Sequence, residues 1–359
     1  MQIIDIFVYN FSNMDFELEI NGLWTPFRND SRLFNEVLPY HAEYEGVLYG
    51  CERAAYLIRS MAVYSMTCGS LGHPGGSFSE ADFLAVLYNY VLRYDPKNPD
   101  WALRDIFYLS KCHACPGLYA TLGLFGYFPM EWLKGYGTWG SHLESHPDRK
   151  RTPGIEISGG SLGQIPGVAV GRALAVRQMG PDHNNRMVYV LLGDGECDEG
   201  SVWEAFMAAG HYGLDNLVFV IDYNKVQAKG FVKDDMTLEP LVDKLRAFNM
   251  DVFEIRNGHN IDEIVSTFNL LRVNRRGRPL AVILNTVKGY SVDMCNFNTN
   301  WHTSAPRSVD QAAGWLFEMW EGGGRRLGIP RRFVERLVDD IEIAAPLHDN
   351  PDAVKDNQA

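Results

Sequence analysis

Long apolar runs are absent from the sequence, and none approaches the roughly 18 consecutive residues that a membrane-spanning helix requires. No basic stretch precedes the first apolar residues, as it would in an export signal. The six cysteines are scattered unevenly, unlike the disulfide framework of a small secreted protein. We therefore expect a cytoplasmic protein that is neither exported nor inserted in a membrane.

Positive charge is also scarce. The chain has 359 residues, of which 33 are Lys or Arg and 45 are Asp or Glu, for a net charge of −12. A nucleic-acid partner would need a basic face to displace counterions from phosphates, so we expect none. The glycine-rich fingerprints of ATP-binding and dinucleotide-binding loops are missing as well, which argues against both kinds of cofactor.

What the sequence does contain is a regular alternation of aliphatic runs and helical patterns. Strands are predicted at residues 105–109, 187–192, 217–222, 252–255 and 280–286. Such runs are typical of strands that are buried on both faces. The predicted fold class is α/β, a doubly wound and mainly parallel sheet with helices on both faces.

The sequence divides into three regions. They are an N-terminal arm (1–43), a main domain (44–306) and a helical C-terminal extension with an acidic end (307–359). The arm contains a predicted hairpin turn at Asn21-Gly22. In the main domain a long helix is predicted from Tyr44 to Met66, and Ser79 is predicted to cap the next helix.

Polar residues follow two consecutive strands at their carboxyl ends. Asp194 lies in Gly193-Asp194-Gly195, directly after one strand, and Asn224 follows the next strand. In a parallel sheet these ends meet at one edge, where ligands bind. A carboxylate, an amide oxygen and a nearby carbonyl suit Mg²⁺ or Ca²⁺, and Gly195 lets the backbone approach a phosphate. The sequence therefore predicts a metal-diphosphate site at this edge.

Two further groups of residues invite a functional interpretation. Four histidines lie in glycine-rich turns or after predicted strands: His73, His113, His146 and His302. Each alone could be an ordinary loop residue, but four in such positions favour a functional set. Cys112 and Cys115 form a C-x-x-C pair with no second pair to complete a zinc site, so we interpret them as packing residues.

From about residue 44 to residue 306 the chain resembles the diphosphate-binding half of a transketolase. The resemblance lies in an ordered set of motifs: Gly-His-Pro-Gly (His73), Ser-Lys-x-His (His113), His-Pro-Asp (His146), Gly-Asp-Gly (Asp194), Asn224 and Trp-His (His302). More narrowly, the chain is similar to the N-terminal subunit of transketolases that are split into two chains. This resemblance implies a thiamine-diphosphate-binding fold, with residues 44–306 as its diphosphate-binding (PP-type) domain. It also implies transfer of a two-carbon ketol unit from a ketose to an aldose.

The resemblance assigns roles to individual residues. Magnesium on thiamine diphosphate would be bound by Asp194, Asn224 and the carbonyl of Val226. The cofactor itself would contact His113, Gly160, Leu162, Gly195, Glu196, Asn224 and His302. The implied catalytic residues are His73, His146, His302 and Glu199. His73 and His146 would bond sugar oxygens and move protons, which suits a side chain that titrates near neutrality, and Glu199 would join a carboxylate network across a dimer interface.

The same resemblance implies a missing half. The family's cofactor is activated by a glutamate in a separate pyrimidine-binding domain, and the about 50 residues after the matched region are too few to form one. We therefore expect the chain to be inactive alone and to join a separate transketolase C-terminal subunit, as α2β2, to act on sugars or sugar phosphates.

Two alternatives remain open. The chain could belong to another thiamine-diphosphate enzyme, similar to deoxyxylulose-phosphate synthase or to the alpha chain of a 2-oxoacid dehydrogenase, or it could be a non-catalytic, cofactor-binding assembly subunit. Several positions also depart from the family's usual residues: Cys112, Ile165, Arg172, Tyr290 and Thr303. Ile165 and Thr303 lie nearest the implied cofactor and sugar, so these departures allow either a non-standard substrate or simple drift.

Overall fold

The computed structural model describes residues 42–180, 185–273 and 275–344. The predicted hairpin at Asn21-Gly22, nearly all of the predicted N-terminal arm and the acidic C-terminal end lie outside these residues.

A five-stranded sheet forms the centre of the molecule. Its strands are β1 (Ile106–Leu109), β2 (Val188–Gly193), β3 (Leu217–Tyr223), β4 (Asp251–Ile255) and β5 (Leu280–Asn285). They are arranged in the order β1-β2-β3-β5-β4, and every neighbouring pair is parallel. The five predicted strands and the predicted α/β fold class are therefore confirmed.

Eleven α-helices are found in the described part of the chain. They are α1 (Ala42–Gly69), α2 (Pro74–Ser79), α3 (Ala81–Val86), α4 (Cys115–Leu124), α5 (Ile165–Gln178), α6 (Gly200–Tyr212), α7 (Val232–Asp235), α8 (Leu241–Ala247), α9 (Ile261–Val273), α10 (Val309–Met319) and α11 (Arg331–Asp340). None of the helices in these residues is long and apolar enough to cross a membrane.

Helices cover both faces of the sheet. Successive strand residues point to opposite faces, so Tyr189 and Leu191 pack with α1, α3, α4 and α9, whereas Val188 and Val190 pack with α5, α6 and α8. The C-terminal helices α10 and α11 join the first of these two cores, through Trp315 among others. The domain boundary at residue 306 remains a prediction, although these helices share a core with α1.

One predicted helix start is wrong. Ser79 does not cap a helix but is the last residue of α2, which begins at Pro74. Proline suits the first turn of a helix because its missing N–H would have no partner there. The Ser79 hydroxyl instead contacts Asp222 at 2.6 Å. A long-range contact therefore replaces the predicted local cap.

Candidate active site

The carboxylate of Asp194 lies where β2 ends, beside the segment that follows β3. Gly193 pairs with Asp222 in the parallel register, so the residues after each are neighbours. Asp194 is buried, and its Oδ1 accepts a hydrogen bond from the Gly195 N–H at 2.8 Å. Its Oδ2 accepts from the Lys225 N–H at 2.6 Å. The two halves of the predicted metal site are therefore joined directly.

Asn224 and Val226 supply the other two predicted ligands. The Val226 N–H donates to Asn224 Oδ1 at 3.3 Å, and Lys225 between them has a positive φ of 76°. The Val226 carbonyl accepts a hydrogen bond from the Lys288 ammonium at 2.7 Å, so it already contacts a cation.

One carboxylate, one amide oxygen and one carbonyl form a donor set that fits Mg²⁺ with phosphate oxygens completing the shell. The described residues hold no cluster of three His, Cys, Asp or Glu side chains suited to a metal ion. The remaining positions around a metal ion here would be open to water or to the oxygen atoms of a bound ligand such as a diphosphate.

Three of the four predicted histidines meet at the same edge of the sheet. The ring centroids of His73 lie 4.9 Å from His113 and 5.7 Å from His302, and the latter two are 5.3 Å apart. His302 Nδ1 lies 2.7 Å from Lys288 Nζ, which links the histidines to the Val226 carbonyl. The buried Nδ1 of His73 has no hydrogen-bond partner within the described residues. A ligand atom would satisfy it.

These histidines are neutral at pH 7. Burial lowers the pKa of His73 to about 4 and that of His302 to about 3, and the charge of Lys288 adds to both effects. The pKa of His113 also lies well below its ordinary value, mainly because of burial. The expectation that His73 titrates near neutrality is therefore wrong for the protein without a ligand, because its ring is desolvated and surrounded by other bases.

The pKa values of Asp194 and Lys288 shift in opposite directions. Burial raises the pKa of Asp194, and Asp222 adds to this rise, while hydrogen bonds from Gly195 and Lys225 reduce it. Burial likewise lowers the pKa of Lys288, although the charge of Asp194 opposes the change. A divalent cation placed beside Asp194 would favour its ionised form.

The loop before α5 brings the fourth histidine to the site. A side chain on Gly160 would begin 3.5 Å from the His146 ring, so these two residues are adjacent. His146 is also close enough to His73 to lower its pKa. The loop is held by Glu196, whose Oε1 accepts from the Gly163 N–H at 2.9 Å and also from the Ser110 hydroxyl. Glu196 therefore supports the loop, and its predicted cofactor contact remains a prediction.

The remaining predicted residues occupy different settings. Leu162 is partly buried in the loop before α5. A side chain on Gly195 would meet Gln227 at 3.0 Å, so glycine keeps this turn close to the metal-binding segment. Glu199 is exposed at the start of α6 and does not bond the helix end. Cys112 and Cys115 are both buried free thiols, as expected of packing residues.

A buried charge cluster beneath the site was not predicted. Lys111 Nζ lies 2.6 Å from Asp222 Oδ2 and 3.0 Å from Glu80 Oε2. Burial disfavours the charged forms of Lys111 and Asp222, but their mutual attraction outweighs it, so the pKa of Lys111 is raised and that of Asp222 is lowered. For Glu80 burial dominates and raises the pKa to about 8. The sequence feature that could have indicated this cluster is Asp222, a charged residue in the otherwise apolar strand β3.

Comparison with known proteins agrees with this geometry. Residues 51–313 match the family described as the transketolase, thiamine diphosphate binding domain. The chain is 45% identical over 238 residues to the 6-deoxy-6-sulfo-D-fructose transketolase subunit SqwG of Clostridium sp. (strain MSTE9), covering 66% of this chain and 85% of that relative. It is 39% identical over 272 residues to one subunit of the apulose-4-phosphate transketolase of Actinobacillus succinogenes, covering 75% of this chain and 94% of the relative.

Solved structures give the same relationship. The transketolase from Leishmania mexicana superposes with a TM-score of 0.70 at 28% identity, covering 80% of this chain but 46% of that protein. The chain thus spans most of the subunits named above and less than half of this solved transketolase. With its matching domain, fold and site geometry, the chain belongs to the transketolase family and carries that family's thiamine-diphosphate-binding domain.

Proposed function

We propose that the chain is the magnesium- and diphosphate-binding subunit of a two-subunit transketolase, which moves a two-carbon ketol unit from a ketose donor to an aldose acceptor. One observation carries the proposal. The oxygen ligands around Asp194 and the histidine cluster lie at a single edge of the sheet, joined through Lys288, which contacts both the Val226 carbonyl and His302.

Each group of residues has a distinct task. Asp194, Asn224 and the Val226 carbonyl would hold Mg²⁺ on the diphosphate. Gly195 and the imidazole rings of His113 and His302 would lie against the diphosphate. Thiamine diphosphate, when bound, supplies the carbanion that attacks a ketose carbonyl. Gly160, Leu162 and Glu196 would position the ring-bearing part of the cofactor.

His73 and His146 would face the sugar. Because the pKa of His73 is about 4, its neutral ring has one donor and one acceptor nitrogen and can bond both hydroxyl and carbonyl oxygens. A bound diphosphate brings negative charge, which would raise the pKa of His73 towards neutrality. Proton transfer by this residue would therefore depend on the cofactor being present.

The partner is a separate pyrimidine-domain subunit in an α2β2 assembly. The relatives named as subunits match this chain over most of their length, whereas the chain covers 46% of a solved transketolase. Glu199 is exposed and lies against Gly163, next to the cofactor loop, so another chain could reach it.

The substrates we propose are sugars or sugar phosphates. The relatives' names mention a sulfonated fructose and a phosphorylated apulose, and each name applies to that relative. Neutral histidines at the site suit the hydroxyl groups that all these sugars share.

A reconstitution assay tests this function. The purified chain with Mg²⁺, thiamine diphosphate, a ketose donor and an aldose acceptor is expected to show no turnover, because the activating glutamate belongs to the partner. Addition of the pyrimidine-domain subunit should produce ketol transfer. Turnover by this chain alone would contradict the proposed division of the site between two subunits. A pair that binds cofactor but transfers no ketol unit would instead favour an assembly role.

A further inference from the structure

The Asn224 side chain has to present its oxygen, and not its nitrogen, to a metal ion. The two ends of an amide have nearly the same shape, so the surroundings decide which end points where. In this protein Asn224 Nδ2 lies 3.1 Å from Asp222 Oδ2 and 3.5 Å from Ser79 Oγ. On the other side, Asn224 Oδ1 accepts from the Val226 N–H at 3.3 Å.

Asp222 offers only acceptors to its neighbours. Its Oδ2 accepts hydrogen bonds from Lys111 at 2.6 Å, from Ser79 at 2.6 Å and from Asn224, and its Oδ1 accepts from Thr286. The residue is fully buried, so no water competes for these oxygens. If the Asn224 amide were reversed, two oxygens would face each other at the distance now occupied by a hydrogen bond. That arrangement is repulsive in a buried site.

Lys111 keeps this carboxylate in place. Its ammonium bonds the Gly76 carbonyl at 2.9 Å and contacts both Asp222 and Glu80. The Lys111 and Glu80 side chains are 2% and 0% exposed, so the ammonium is confined between two carboxyl groups. Lys111 follows β1, Glu80 lies between α2 and α3, and Asp222 is in β3. The ion pairs therefore connect three separate elements beneath the site.

We infer that Asp222 is a positioning residue that orients the Asn224 amide so that its oxygen faces the metal ion, and that Lys111 is the counter-ion that holds Asp222 for this purpose. This inference rests on the proposed magnesium site. It assigns to a buried aspartate a second task besides its ion pair with Lys111.

A pair of variants separates the contact with Asn224 from the contact with Lys111. Asp222→Asn and Glu80→Gln each replace a carboxyl group that contacts Lys111 with an amide, but Glu80 has no described contact with Asn224. We expect Asp222→Asn to weaken Mn²⁺ binding about 10- to 100-fold. A neutral amide at position 222 attracts Lys111 less strongly than a carboxylate does, and it can present either its oxygen or its N–H to Asn224, so it no longer selects a single orientation of that residue. Glu80→Gln should change Mn²⁺ affinity less than about 3-fold, since the residue does not touch Asn224. Mn²⁺ affinity would be measured by electron paramagnetic resonance with excess thiamine diphosphate, on the chain assembled with its partner subunit.

A swapped double variant provides the rescue. In Asp222→Asn with Asn224→Asp, the amide at position 222 can donate to a carboxylate at position 224, whose oxygens bind metal in either orientation. We expect this variant to recover most of the Mn²⁺ affinity lost in Asp222→Asn. A residue that only maintained the fold would not be rescued in this way. Circular dichroism and thermal unfolding would show that each variant is folded, and the swapped variant keeps the test available if Asp222→Asn alone is unstable.

The outcomes separate the inference from the function on which it rests. If the unmodified assembly does not bind Mn²⁺ together with thiamine diphosphate, the proposed metal site and the inference both fail. If it binds Mn²⁺ but Asp222→Asn behaves like Glu80→Gln, or the swap fails to restore affinity, the inference alone is overturned. Selective loss in Asp222→Asn with recovery in the swap supports it.

Discussion

At the scale of single residues, the buried histidines make the protein sensitive to acid. His73 has a pKa of about 4 in the folded protein against an ordinary value of 6.5. Between these values the unfolded chain binds a proton that the folded protein does not. The contribution of His73 to stability is therefore complete above pH 6.5 and is lost as the pH falls towards 4.

This loss can be measured. We expect the free energy of unfolding of the cofactor-free chain, from urea denaturation, to fall between pH 6.5 and 4. His73 accounts for at most about 3 kcal/mol of that fall. His73→Asn should reduce the slope of stability against pH by about one bound proton. The variant His211→Asn, which removes an exposed histidine on α6, provides the comparison. An unaltered slope in His73→Asn would show that the ring is not buried in its neutral form.

Some residues of the site could be predicted from the sequence and others could not. Asp194, Asn224 and the histidines were predictable because each lies at a strand end or in a glycine-rich turn, and parallel topology brings such positions together. Lys111 and Glu80 were not, because their burial depends on the long-range contacts of Lys111 with Asp222 and with Glu80. A charged residue gives no local sign of whether its partner is another residue or water.

At the scale of elements, a glycine in helix α6 allows this helix to lie close to the end of α8. A side chain on Gly210 would lie 1.9 Å from the carbonyl oxygen of Phe248, a backbone atom that cannot turn away. Helix α6 links β2 to β3, the two strands whose ends carry Asp194 and Asn224. The close packing of α6 against the end of α8 therefore supports the unit formed by β2, α6 and β3, which carries Asp194 and precedes Asn224.

A pair of alanine substitutions tests that packing. Gly210→Ala should destabilise the chain by about 1–3 kcal/mol, because the added methyl forces α6 away from α8. Gly171 in α5 has no atom within 4 Å of an added side chain, so Gly171→Ala should stabilise the chain by about 0.5–1 kcal/mol. Denaturant unfolding would compare the two. Equal effects would mean that α6 and α8 are not in close contact.

The elements themselves were largely predictable, and the exception is informative. The five strands were recognised from their aliphatic runs, and most helices from their periodicity. Ser79 was misread as a cap because a serine before an apolar pattern usually has that role. Its hydroxyl instead donates a hydrogen bond to Asp222, which is 143 residues away in the sequence. Tertiary contacts of this kind override local preference and leave no local trace.

At the scale of the whole molecule, the parallel sheet explains why one edge carries all the chemistry. The strands β1, β2, β3 and β5 all end at this edge, and each is followed by residues of the site, namely His113, Asp194, Asn224 and Lys288. The opposite surface of a bound cofactor would be covered by the partner. In the proposed assembly the chain would form one wall of an active centre, and residues 51–313 match the thiamine diphosphate binding domain of transketolases.

We propose that this edge of the sheet binds thiamine diphosphate through a divalent metal. Isothermal titration calorimetry of thiamine diphosphate into the chain, alone and assembled with its pyrimidine-domain subunit, tests it most directly. We expect binding that requires Mg²⁺ and is tighter in the assembly. In Asp194→Asn we expect binding weakened at least about 100-fold, or about 2.7 kcal/mol. Absence of binding in the assembly, or binding that is indifferent to Mg²⁺ and to Asp194→Asn, would contradict it.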